Sequence, residues 1–143
     1  MMYYLLIIPI LSAIIAQIMK MIIDALKKQF SWNDLNSYGG MPSSHSAMVA
    51  SLASAVGYFE GWDSATFAIC IVLALIVIRD AGGFRRQIGF QAKTINQHIA
   101  QISSEQSSEF EHLRERMGHS PLEILVGIVL GVLITTIFIL YIV

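Results

Sequence analysis

The chain has 143 residues, of which 55% are hydrophobic and only 13% charged, and its mean hydropathy is +0.65. Soluble domains carry nearly twice that charged share, so the composition excludes a disordered chain, a nucleic-acid-binding tail and an ordinary cytosolic enzyme, and indicates an integral membrane protein. The formal net charge of -1 says nothing about partners, but the basic residues are unevenly spread, with none between 29 and 78 or after 116.

Four apolar runs predict an all-α fold, a single membrane domain spanning at about 2–22, 43–59, 61–79 and 121–143, with a cytoplasmic helical segment over 80–120. The first run lacks a basic n-region and a small-residue cleavage site, which reads as a retained helix rather than a signal peptide. Pro9 lies inside it, where membrane helices tolerate a kink. The second run is short enough to suit a re-entrant segment as well as a span. Its small residues Ala47, Ser51 and Ala55 recur every fourth position, the pattern of an interior helix approached closely by neighbours. The third run holds the lone Cys70, so neither an internal disulfide nor a cysteine metal cluster is possible and a small buried apolar role is expected.

Gly82 and Gly83 are expected to break the helix leaving the third run. Beyond them, Ile95, Ile99 and Ile102 share a helical face that could lie on the membrane surface or on the bundle. Residues 103–108 read as a linker, followed by a short charged helix from Glu109 to about Met117. In the fourth run Gly127 and Gly131 form a GxxxG pair, suited to close packing within the protomer or in a homodimer. If all four runs span, every Lys and Arg falls on one side or at its membrane edge. The positive-inside rule makes that side cytoplasmic.

Two elements at helix starts carry the candidate chemistry. Gly39-Gly40-Met41-Pro42-Ser43-Ser44-His45 makes a tight approach to the second run, with Ser43 or Ser44 as N-cap and unpaired backbone N–H groups suited to an anion. Gly118-His119-Ser120-Pro121-Leu122-Glu123 offers a capping box of Ser120 and Glu123, with Pro121 at the first helical position. Glu123 could equally orient the His119 imidazole, and spacing alone leaves the two readings even. Lys20, Arg85, Arg86 and Arg114 could enclose a phosphoryl group or simply contact headgroups. Asp80 is expected to pair with Arg79, Arg85 or Arg86, a metal site there being the sharper alternative, and His98 and His112 are expected to be solvated.

Four stretches, AQIMK (16–20), GGMPSSHSA (39–47), RDAGGFRRQIGFQAKTIN (79–96) and GHSPLEILVG (118–127), resemble in the same order the divergent bacterial branch of the type-2 phosphatidic acid phosphatase superfamily, relatives of the vanadium haloperoxidases. The resemblance runs over nearly the whole chain. The wider superfamily has a Lys followed by Arg-Pro, then Pro-Ser-Gly-His, then Ser-Arg with a downstream His and Asp. Pro42-Ser43-Ser44-His45 resembles the second motif with Ser44 at the Gly. The resemblance implies that His45 is the general acid, His119 the nucleophile forming a phosphohistidine, and Glu123 the stand-in for the orienting Asp. It also implies that Lys20 and Ser44 bind phosphate. No Arg-Pro follows Lys20, and the third-motif Arg falls at Leu113, one residue before Arg114. Arg85 and Arg86 are then candidates to replace it.

The resulting expectation is a phosphatase of membrane lipid phosphates of the phosphatidylglycerophosphate or phosphatidate type, acting at the cytoplasmic face of the cell membrane without metal or cofactor. Its partners are the bilayer and a lipid phosphate, with no nucleic acid. A non-catalytic lipid-binding scaffold on a phosphatase-like frame and an undecaprenyl diphosphate phosphatase are the alternatives.

Overall fold

A computed structural model of the chain describes residues 2–27, 39–101 and 110–142. These residues are all helical or irregular, with no strand among them. The helices are α1 (Met2–Leu26), α2 (Ser44–Glu60), α3 (Ala65–Arg79), α4 (Arg85–Ile99) and α5 (Pro121–Ile142). α1, the continuous helix Ala65–Ile99 and α5 are each long and apolar enough to cross a membrane. At 17 residues α2 is shorter, yet it is the centre of the bundle and packs against α1, α3 and α5.

Small residues make that central position possible. On α5, a Cβ added to Gly127 would come within 2.5 Å of the Ser43 carbonyl oxygen, and one added to Gly131 would overlap the carbonyl of Ala47. One turn further, Thr135 donates its hydroxyl to the Ser51 carbonyl at 3.3 Å. Beyond that, Phe138 joins Ala55 in an apolar cluster with Ile8. The pairs 127–43, 131–47, 135–51 and 138–55 rise together, so α2 and α5 run parallel and begin at the same end of the molecule. Their backbones approach closely because no side chain stands between them, which is how helices associate in lipid, where burying apolar surface gives no advantage.

α1 runs the opposite way. Its Tyr4 stacks on Phe59 at 5.9 Å near the end of α2, while the Lys20 stem lies against Gly40 just before the start of α2. The buried face of α1 is a row of five residues spaced by four, Ile8, Ser12, Ala16, Lys20 and Asp24, whose last two members reach the polar end. α3 covers α2 through Cys70, which clusters with Ala53 and Val56. Cys70 is thus the buried small residue expected of it.

The structure corrects several expectations. Gly82 and Gly83 do not break the helix. Residues Asp80–Phe84 form a π-helical turn through which α3 continues into α4, closed by the Arg85 N–H donating to the Asp80 carbonyl. The Asp80 carboxylate accepts from Arg85 Nε at 2.6 Å across the same turn. A wide turn keeps the axis continuous while freeing a carbonyl from the helical ladder. That carbonyl, on Ala81, accepts from the His119 N–H at 2.9 Å.

The charged helix expected to end near Met117 is absent from residues 110–117, which form an irregular arm. Buried Asn96 on α4 takes over the arm's backbone hydrogen bonding. Its Nδ2 donates to the Leu113 carbonyl at 2.8 Å and its Oδ1 accepts from the Leu113 N–H at 3.0 Å. Residues 103–108, read as a linker, lie outside the described residues. Ile95 is exposed and Ile99 half-buried, while α4 packs inward through Gly89, Ala92 and Asn96. The GxxxG pair is consumed within the protomer, so it does not present a surface for a second copy.

Replacing Gly131 by Ala is expected to destabilise the fold by about 1–3 kcal/mol, because the added methyl overpacks the backbone of α2. Gly83→Ala, whose Cβ meets nothing within 4 Å, is the comparison and should be neutral or stabilising. Equilibrium unfolding in mixed detergent reads both; equal midpoints would refute the close α2–α5 contact.

Candidate active site

The parallel start of α2 and α5 brings the two His-bearing elements together. Ser43 is the N-cap of α2, its Oγ accepting from the Ser46 N–H at 3.3 Å, and its own N–H donates to the Glu123 carbonyl at 3.1 Å. Of the first-turn donors this leaves the N–H groups of Ser44 and His45 without an intrahelical acceptor. At α5, the expected capping box is present in both directions. The Ser120 N–H donates to Glu123 Oε2 at 3.1 Å and the Glu123 N–H to Ser120 Oγ at 3.3 Å. The Met41–Pro42 peptide preceding α2 is cis.

Glu123 does both jobs that spacing left open. The oxygen that caps the helix also lies 3.2 Å from His119 Nδ1, and the Gly40 carbonyl lies 3.1 Å from the same nitrogen. Both neighbours are acceptors, so Nδ1 carries the proton and donates to them. The lone pair is thereby confined to Nε2. His119 is 4% exposed. Burial pushes its imidazole below the ordinary 6.5, against the hydrogen bond and charge of Glu123, which pull it up. Lys20 adds a smaller push downward and the Gly40 contact a smaller pull upward. Burial therefore favours the neutral imidazole, and Glu123 and the Gly40 carbonyl orient its ring.

The other candidates divide into two groups. Arg85, His119, Asp80 and Lys20 all lie near enough to His45 for their charges to act on it. Lys20 is 4% exposed. Ser44 opens α2 half-buried beside His45. These residues form a polar knot where α1, α2, the π-turn and α5 meet. Arg86 instead lines a cavity of about 420 Å³ that also touches His119, Ser120 and Glu123. His45, Lys20 and Arg85 do not line it. Arg114 is exposed and lies outside this cavity lining.

Arg116 is the arm's basic residue on that cavity, and its Nη2 pairs with buried Asp24 at 2.9 Å. Neither was singled out from sequence. Asp24 was detectable as the next member of the row that carries Lys20, but Arg116 had no signal apart from its neighbours. Gly40 has a positive φ of 104°, and a Cβ there would meet Arg116 Nη2 at 2.8 Å and Lys20 Cε at 3.0 Å. The positive φ favours glycine, and a side chain there would also have to displace the ends of Arg116 and Lys20. Asp80 pairs with Arg85, one of the expected partners. His98 and His112 are both exposed. Among the described residues no cluster of His, Cys, Asp or Glu could hold a metal ion.

These features fit what comparison with other proteins finds. The family model of the divergent PAP2 family matches residues 2–134. The uncharacterized membrane protein YuiD of Bacillus subtilis (strain 168) is 34% identical, over 89% of this chain and 90% of its own length. No solved structure matches the chain. The sequence motifs, held together at one end of a helical membrane bundle, and the match over almost the whole chain lead to one conclusion: the chain belongs to the divergent PAP2 family.

Proposed function

We propose that the chain is a lipid phosphate phosphatase that hydrolyses a phosphomonoester of a phospholipid, of the phosphatidylglycerophosphate or phosphatidate type, through a phosphohistidine at His119. The observation that carries this reading is the geometry at buried His119, whose Nδ1 lies 3.1 Å from the Gly40 carbonyl and 3.2 Å from Glu123 Oε2, an arrangement that leaves Nε2 as the lone-pair nitrogen. Nε2 attacks phosphorus as the bond to the lipid oxygen breaks, and protonated His45 donates its proton to that leaving oxygen. Water, deprotonated by His45, then displaces phosphate from His119. Lys20, Arg85 and the free N–H groups of Ser44 and His45 stabilise the charge on the phosphoryl oxygens.

We also propose that α2 is a fourth span and that the site faces the cytoplasm at the cell membrane. At 1.5 Å per residue α2 is about 26 Å long. It runs beside α5 from its first turn, and at its other end residues 61–64 lead directly into α3. The described basic residues cluster at the polar end, with α4, the arm and the ends of α1 and α3. The positive-inside rule supports a cytoplasmic assignment for that end. A cytoplasmic site suits a lipid phosphate of the inner leaflet better than undecaprenyl diphosphate recycled outside. A lipid-binding scaffold is the second reading, favoured by the absence of His45 and Lys20 from the lining of the cavity beside His119.

Purified protein in detergent is expected to release inorganic phosphate from these lipids. His119→Ala should remove turnover and His45→Ala should lower it by about 10²–10⁴-fold. Full activity in both variants would overturn the mechanism, and inactivity of the wild type on every lipid phosphate would favour the scaffold.

The acid limb of kcat/KM should lie below pH 6.5, since activity falls only as pH drops through the depressed pKa of His119 and protonates Nε2. Glu123→Gln removes the group that raises this pKa, so it should shift the acid limb to lower pH. It should also slow turnover by about 10²-fold, less than the loss seen in protease triads because Gly40 still holds Nδ1. An acid limb that stays in place would show that Glu123 does not act on His119.

A further inference from the structure

The cavity beside His119 carries positive charge that the proposed reaction does not use. Its basic side chains are Arg86, Lys93 and Arg116. Arg116 is committed to Asp24 at 2.9 Å. Arg86 lies over the ring of Phe90 at 5.5 Å. Neither Arg86 nor Lys93 has a carboxylate partner among the described residues. The two acids in the wall are already engaged. Glu123 accepts from Ser120 and His119, and Glu115 Oε1 accepts from Asn96 Nδ2 at 2.9 Å.

The cavity is built by the fold rather than left over from it. A Cβ on Gly89 would meet the Glu115 carbonyl oxygen at 2.6 Å and that of Met117 at 3.0 Å, so glycine lets the arm lie directly on α4 and form the wall. Arg86 and Lys93 are two turns apart on the same helix face, about 10 Å along the axis. Lys93 is the further from the apolar helix α3. Lys20, His45 and Arg85 are not among the residues that line the cavity, whereas Gly40, against which both the Lys20 stem and the Arg116 guanidinium lie, is one of them. His119 touches both regions, through the cavity lining and through its effect on His45.

We infer that this cavity is a second phosphate site, distinct from the reacting one and placed beside His119. Arg86 and Lys93 are its ligating side chains, Arg offering a planar fork and Lys a point charge. The shared chemistry is a phosphate dianion or diester. Its source is either a second phosphate in the headgroup of the same lipid or inorganic phosphate leaving the phosphohistidine. The inference rests on the phosphatase reading for its role but not for the existence of the site.

The test uses the purified full chain in detergent, as wild type, Lys93→Gln, Arg86→Gln and Lys27→Gln. Lys27 is an exposed lysine outside the cavity and controls for diffuse charge. Hydrolysis of phosphatidylglycerophosphate, with two phosphates, is compared with that of phosphatidate, with one. If the headgroup is the source, Lys93→Gln and Arg86→Gln each lower the ratio of the two kcat/KM values by about tenfold, and Lys27→Gln leaves it unchanged. If free phosphate is the source, the ratio stands while the inhibition constant for inorganic phosphate rises by about tenfold in the same two variants. A ratio and an inhibition constant that both stay fixed would overturn the site, as would equal effects from Lys27→Gln. Should the wild type hydrolyse neither lipid, the phosphatase reading fails on its own. Equilibrium binding of radiolabelled inorganic phosphate then decides the site: loss of binding in Lys93→Gln and not in Lys27→Gln supports it, and equal binding in all four proteins refutes it.

Discussion

The polar end of this molecule depends on how closely α2 and α5 approach. Gly127 and Gly131 present bare backbone to the carbonyls of Ser43 and Ala47, and the seam continues through Thr135 and Ser51. Because the two helices run parallel, their N-terminal turns lie side by side. Each turn carries a histidine, one just inside its helix and one just before it. The Ser43 N–H bond to the Glu123 carbonyl locks the two turns together. Any side chain in the seam would separate the helices and, with them, His45 from His119. The small residues therefore set the placement of the two histidines as well as the packing of the helices.

A second constraint acts from the π-turn. Its wider hydrogen-bond ring releases the Ala81 carbonyl, which holds the backbone N–H of His119 while the Gly40 carbonyl holds its ring. The same turn pairs Asp80 with Arg85 and directs both toward the surroundings of His45. Polar groups near a membrane edge are costly unless paired, and here each pairing also orients something. Glu123 caps a helix and fixes a tautomer. Asp24 neutralises Arg116 and ties the arm to α1. Asn96 supplies the arm with backbone partners and holds Glu115, leaving Arg86 and Lys93 as the cavity's cations without a carboxylate partner among the described residues.

The helices and their buried faces were legible in the chain because both rest on local pattern. Length and apolarity mark the runs, and four-residue spacing of small residues marks α2 as interior. The capping box at Ser120 and Glu123 was legible for the same reason, since its partners are three residues apart. Gly82 and Gly83 misled because glycine reports only permissiveness. Whether it breaks a helix depends on what fills the space, and here Ile124 lies where a Cβ on Gly82 would point. The arm misled because charged residues with helical propensity were given hydrogen-bond partners by a distant asparagine. Arg114 was singled out by its nearness to His119 in sequence, yet Arg116 is the one in the cavity wall, since the arm is not helical and helical spacing does not apply to it.

By itself the sequence determined that this is a membrane protein of helices, that its charge belongs to one end, and that two histidines begin helices there. Those follow from composition, periodicity and caps, which act over a few residues. Only the tertiary structure decided that the helix starts meet, that Glu123 and the Gly40 carbonyl together set the tautomer of His119, and that the basic residues split into an inner knot and an outer cavity. Those depend on contacts between residues as far apart as Gly40 and His119, and no local pattern encodes the distance at which two helices stop approaching.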